Sequence, residues 1–175
     1  MDGVELEPFM GGGAASRIEV WVEREGPSLW TRWLVDAPLN DLMLPISDPP
    51  SQKDGLWRTT CFELFVAGEG APYLEINAAP SGDWAAYRFQ SPREGMTPLV
   101  LDPPTFTLDA GEEWISVEAT VTLPPEFASA PLSLNIAAVI ETTDGAFSHW
   151  ALAHPAGQPD FHDRSCFRLN LPAAA

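Results

Sequence analysis

Apolar and polar residues alternate strictly along several stretches of the chain. Ile18, Val20 and Val22 point one way and Glu19, Trp21 and Glu23 the other, the period-two pattern of a half-buried strand. Glu25-Gly26-Pro27-Ser28 supplies a turn, and residues 29–36 predict a second strand at hairpin distance. The pattern resumes over residues 59–67, with Phe62, Leu64 and Val66 on one face and Cys61, Glu63 and Phe65 on the other. Residues 73–79 and 84–89 flank Pro80-Ser81-Gly82-Asp83, where Pro fixes φ and Gly accepts a positive φ. Phe106 and Leu108 precede residues 114–123, whose Ile115, Val117, Ala119 and Val121 share a face. Residues 132–141 are apolar nearly throughout, which predicts a central strand covered on both sides. Thr142-Thr143-Asp144-Gly145 turns the chain into residues 147–153, and a last strand is expected at 166–171.

About ten strands with turn signals roughly every eight to twelve residues, and no helical period, predict an all-β fold. The expected architecture is a two-sheet antiparallel β-sandwich of jelly-roll or immunoglobulin-like type. Residues 1–15, acidic and containing Gly11-Gly12-Gly13, are expected to form a flexible lead-in to one domain over residues 16–172. The connection over residues 38–55 carries Pro45, Pro49 and Pro50, and long connections often carry function.

Charge narrows the partners. The 175-residue chain has 25 acidic residues against 9 Lys plus Arg, a formal net charge of −16. Phosphate binding needs clustered cations, so nucleic acid and anionic membrane surfaces are excluded as partners. No apolar run approaches the roughly 18 residues of a membrane-spanning helix, and the N-terminus has no basic start followed by an apolar stretch. The expected location is the cytoplasm, with Cys61 and Cys166 as buried free thiols and a disulfide as the alternative that sequence does not place. Phosphate-loop, dinucleotide, nucleophile-elbow, Cys-x-x-Cys and His-Glu-x-x-His motifs are all absent, so neither catalytic residues, metal nor cofactor is assigned.

The middle strands hold a row of polar and aromatic residues. Counting by two places Glu63, Glu75 and Asn77 opposite the apolar positions, and Trp84 shares a face with Arg88. With these strands adjacent, Glu63, Glu75, Asn77, Trp84 and Arg88 would form one ligand-binding surface. Acids, an amide, a guanidinium and a flat ring suit a saccharide or similar small polar ligand, binding its hydroxyls while the ring covers its apolar face. Trp150 and His154, with His162 nearby, are the candidates for its rim. Glu63 and Glu75 would serve glycosidic acid–base chemistry only at a separation of roughly 5–5.5 or 6.5–9.5 Å with one raised pKa, which sequence does not supply. The histidines and aspartates between His149 and Asp163 match no metal-ligand spacing. Trp21, Trp30, Trp33 and Trp114 read as packing residues.

Three stretches carry a family resemblance: Gly-Leu-Trp-Arg-Thr-Thr-Cys-Phe-Glu-Leu-Phe at 55–65, the segment 73–87 through Asn77 and the Pro-Ser-Gly turn, and 148–162. Together they resemble the bacterial DOMON-like proteins, grouped with family-9 carbohydrate-binding modules, over roughly residues 18–171. The resemblance implies a β-sandwich and a non-catalytic module that binds sugars or, in some branches, haem. It maps the family's glutamate after an aromatic strand position onto Glu63, and its asparagine before the turn onto Asn77. For haem, the axial pair would be Met96 with one of the three histidines. A partner-binding structural domain without a small ligand is the remaining alternative.

Overall fold

The computed structural model describes residues 3–174. In chain order its strands are β1 (Val4–Glu5), β2 (Glu7–Pro8), β3 (Arg17–Glu25), β4 (Ser28–Asp36), β5 (Cys61–Ala67), β6 (Tyr73–Ala78) and β7 (Trp84–Phe89). There follow β8 (Thr97–Pro98), β9 (Thr105–Ala110), β10 (Trp114–Thr122), β11 (Leu132–Glu141), β12 (Phe147–Ala151) and β13 (Leu169–Leu171). One α-helical turn, Pro125–Ala128, joins β10 to β11. Two antiparallel sheets result, ordered β1-β3-β4-β10-β9 and β2-β12-β11-β5-β6-β7-β8, with β13 also on β11. The chain is a β-sandwich, as the alternation predicts. The additional strands β1, β2 and β8 have two residues each, too short for alternation to register.

The alternating positions close the core between the sheets. Ile18, Val20 and Val22 join Leu29, Trp33, Val35, Ile115 and Val117 against Phe62, Leu64, Leu74, Ile136 and Ile140 of the larger sheet. Each such side chain contributes about 1.5–3 kcal/mol through burial. The outer face of the smaller sheet is half-buried and polar, with Arg32 over the Trp21 ring and Trp30 Nε1 donating to Glu118.

The larger sheet is covered on its outer face too. Cys61, Phe65, Tyr73, Tyr87, Phe89 and Val139 form a second apolar cluster with Phe161 and Phe167 of the segment between β12 and β13. This is why β5 and β6 are buried at every position and why the run at 132–141 is apolar on both sides. Asn135 Nδ2 ties the covering segment down by donating to the Phe161 carbonyl at 2.9 Å.

The lead-in expectation is corrected within the described residues. β1 pairs with β3 of one sheet and β2 with β12 of the other, so the segment bridges both sheets. Leu6 between them is 1% exposed, and its N–H donates to the Ile18 carbonyl. The rest of the expected lead-in, Met1 and Asp2, lies outside the described residues. Among the described residues no helix is long and apolar enough to cross a membrane.

Candidate functional site: an acidic, aromatic-walled cavity

The site follows from register. Ala151, Ala137, Glu63, Asn77 and Ala85 stand side by side across β12, β11, β5, β6 and β7, facing outward. The neighbouring outward row reads Asn135, Phe65, Glu75 and Tyr87. Three alanines beside the acids leave a depression, and the covering segment roofs it into a cavity of about 450 Å³. Pockets for small ligands measure roughly 300–1,000 Å³.

Glu63 and Glu75 form the floor, and both are at least nine-tenths buried. Phe89, Val139 and Phe161 wall it, with Trp57, Met96, His149 and Pro159 toward the opening. Trp57 sits on a single 3-10 turn, Leu56–Arg58, entered through Gly55 at φ +77°, a left-handed value that favours glycine. Its ring packs edge-on against Tyr87, whose hydroxyl donates to the Asp54 carboxylate.

A polar chain runs beneath the roof. The Arg93 N–H donates to Tyr73 Oη at 3.2 Å, and Tyr73 Oη meets His162 Nδ1 at 2.8 Å. His162 Nε2 faces Glu75 Oε2 at 3.6 Å, and Glu75 Oε1 accepts from Asn77 Nδ2 at 2.8 Å. The Arg93 guanidinium is engaged outward, Nε and Nη2 both donating to Asp160 Oδ1 at 3.1 and 2.9 Å. Asn77 Oδ1 is buried without a partner, whereas the Glu63 carboxyl, which accepts no hydrogen bond from the described residues, opens onto the cavity.

Electrostatics follow from that burial. Removal from water pushes the Glu63 carboxyl well above the usual carboxylate range, and the neighbouring Glu75 charge adds to it. Burial raises Glu75 to about 7, although the Asn77 hydrogen bond and Arg93 pull the other way. Burial, then the Arg93 charge, lowers His162 to about 4, so its ring is neutral near pH 7. Burial also raises the Cys61 thiol behind the acids.

The structure brings together Glu63, Glu75 and Asn77, as their shared phase predicts, but not the rest of the expected row. Trp84 and Arg88 lie on the opposite face of β7, because register sets Ala85 beside Asn77 and Tyr87 beside Glu75. Arg88 pairs with Glu126 and lies over the Phe127 ring, and Trp84 lines a groove with Pro50, Pro80 and Phe106. Trp150 is not at the rim: it is 2% exposed in the core between the sheets, with Nε1 donating to Ser148 Oγ. His154 Nε2 bonds the Glu7 carbonyl at 2.8 Å, and its ring packs against Phe9 and Phe161 outside the cavity lining. His149 and His162 occupy the cavity instead. Trp57, six residues before Glu63 in the first resemblance stretch, and Phe89, in phase with Tyr87, were the legible omissions. Arg93, Met96 and Pro159 come from loops without a local signal.

The residues do not fit haem. Its flat apolar faces would meet two buried carboxyls, both His162 nitrogens face protein partners, His154 Nε2 is held by the Glu7 carbonyl outside the cavity, and His149 is left with a half-exposed Met96. Among the described residues no group of three or more His, Cys, Asp or Glu could hold a metal ion.

No family model matches the chain, and no curated protein matches its sequence. Solved structures do match in fold. A candidate carbohydrate-binding protein from Bacteroides uniformis superposes with a TM-score of 0.67 at 13% identity, covering 95% of this chain and 84% of that one. A family-9 carbohydrate-binding module from Caldicellulosiruptor kristjanssonii, in complex with cellotriose, gives 0.51 at 11% identity over 89% and 74%. The chain therefore shares the sandwich of carbohydrate-binding modules.

Proposed function

We propose that the chain is a non-catalytic binding module that holds one sugar unit, or a polyhydroxylated ligand of that size, over Glu63 and Glu75. The observation that carries this reading is Glu63: a carboxyl 4% exposed, facing a cavity and accepting no hydrogen bond from the described residues. A ligand hydroxyl donating to this carboxyl makes a hydrogen bond that no described residue supplies, with a net worth of about 1 kcal/mol or more. The Trp57, Phe89 and Phe161 rings offer flat apolar surface to the C–H face of a pyranose. His149 toward the opening supplies a further polar contact for ligand hydroxyls. The DOMON-like resemblance and the carbohydrate-binding neighbours agree with this use of the fold.

The test is calorimetry and tryptophan fluorescence against a panel of mono- and oligosaccharides, with Trp57→Ala and Glu63→Gln alongside. Each substitution is expected to weaken binding about tenfold or more, near 1.4 kcal/mol. A panel without any heat or fluorescence response would remove the saccharide reading.

A further inference from the structure

We infer that the seat between Glu63 and Glu75 takes a ligand ammonium group, so that the ligand is a cationic amino sugar rather than a neutral one. This rests on the binding reading above and adds the ligand's charge to it.

The argument starts from register. Glu63 is opposite Asn77, and Glu75 is two residues before Asn77 on the same strand and face. Diagonal neighbours of this kind are roughly 7–8 Å apart at the backbone, and their side chains still reach one another. Two carboxyls that close, both nearly removed from water, need a cation between them or must keep a proton. Among the described residues no cation sits between them, so the pair by itself keeps a proton, which a bound ammonium would replace. Arg93 acts on both acids only through its charge, its Nε and Nη2 being held by Asp160. His162, with Nδ1 at Tyr73 and Nε2 3.6 Å from Glu75 Oε2, is neutral. Lys53 is held by Asp83, Arg88 by Glu126, and Arg164 lies over Phe167.

The surroundings suit an organic ammonium. Glu63 faces the cavity with its hydrogen-bonding capacity free, and Glu75 has Oε1 held by Asn77 and Oε2 3.6 Å from the neutral His162 ring, beyond hydrogen-bond distance. An ammonium has three donors, enough for both acids. Aromatic walls at Phe89, Phe161 and Trp57 favour a cation near their rings. A metal ion would need more ligands than these two acids, and the described residues offer no third. A cavity of about 450 Å³ exceeds an ammonium alone and leaves room for the sugar ring that carries it. The chain's 25 acidic against 9 basic residues also draws cations toward the site.

The experiment titrates the full chain calorimetrically with glucosamine, galactosamine and mannosamine, each beside its parent hexose, at neutral pH and low salt. Amine and hydroxyl are nearly equal in size, so stereochemistry cancels within each pair. At least one amino sugar is expected to bind about tenfold or more tightly than its parent, with the preference lost in Glu63→Gln. Circular dichroism confirms that the variant is folded. Hexoses binding as well as their amines overturn the ammonium seat and leave the saccharide reading standing. A preference that persists in folded Glu63→Gln also overturns the seat. If no sugar of the panel binds, the inference and the reading fall together.

Discussion

Replacing Glu75 by Gln should stabilise the protein at neutral and alkaline pH and leave it nearly unchanged in mild acid. The carboxyl ionises near 4.5 in the unfolded chain and at about 7 in the folded one, chiefly because it is buried. Between those values the native state holds a proton that the unfolded state has released, so stability falls as pH rises through the window. Once Glu75 is fully ionised the accumulated cost is about 3 kcal/mol. Glutamine cannot ionise, and its carbonyl oxygen still accepts from Asn77 Nδ2, so the hydrogen bond survives while the cost disappears. Glu63 benefits as well, since the Glu75 charge is one of the forces raising it. Urea unfolding of both proteins from about pH 4 to about pH 8 reads the difference directly. The acidic residues other than Glu63 act on both chains alike and cancel, and the relief of Glu63 adds to the gap in the same direction. The gap should open from near zero to roughly 3 kcal/mol in favour of the variant. A gap that stays constant across that range would falsify the assignment of Glu75 as a buried, uncompensated carboxyl.

Asp83 should behave in the opposite sense. Against burial, which pushes it up, Lys53 Nζ, the Ser51 N–H and Ser81 Oγ hold its carboxyl down to about 2, so its contribution is present above about pH 4 and lost on acidification through 2. Asp83→Asn should therefore lose less stability than the parent in that acid range, as read by circular dichroism. Arg24 donates to the carbonyls of Gly26, Phe127, Ala128, Ala130 and Pro172, gathering the β3 end, the helical turn and the C-terminal segment. Arg24→Met keeps the apolar stem and should cost about 2 kcal/mol in urea unfolding. Cys61 and Cys166 are both 0% exposed, and burial raises both thiols. Neither should react with a thiol reagent until guanidinium unfolds the chain, when both should react.

Local alternation was a reliable guide where one sheet face meets core and the other meets water. Residues Ile18 to Val22 and Ile115 to Val121 lie in the smaller sheet, and their apolar phase is the buried one. In the larger sheet both faces are covered, so polarity no longer marks the inside. Glu63, Glu75 and Asn77 could still be assigned together because apolar residues alternate with them in β5 and β6. β7 offered Trp84 and Arg88 on one face and Tyr87 and Phe89 on the other, and the wrong set was the more polar one. Cross-strand register decides between them, and register is a property of the pair. Trp150 misled for the same reason: pairing with Ala138 turns its indole toward the sandwich interior, and its neighbour His149 outward. The walls from Arg93, Met96 and Phe161 depend on how loops fold back over the sheet, which no periodicity encodes.

The two apolar clusters on either side of the larger sheet give the molecule separable histories. Its inner layer is locked by the opposing sheet, whereas the outer one is closed largely by the segment between β12 and β13. Residues at 154–168 can therefore drift, lengthen or be exchanged while the sandwich keeps its shape. Structures sharing only a tenth or so of their residues with this chain keep the same two-sheet sandwich.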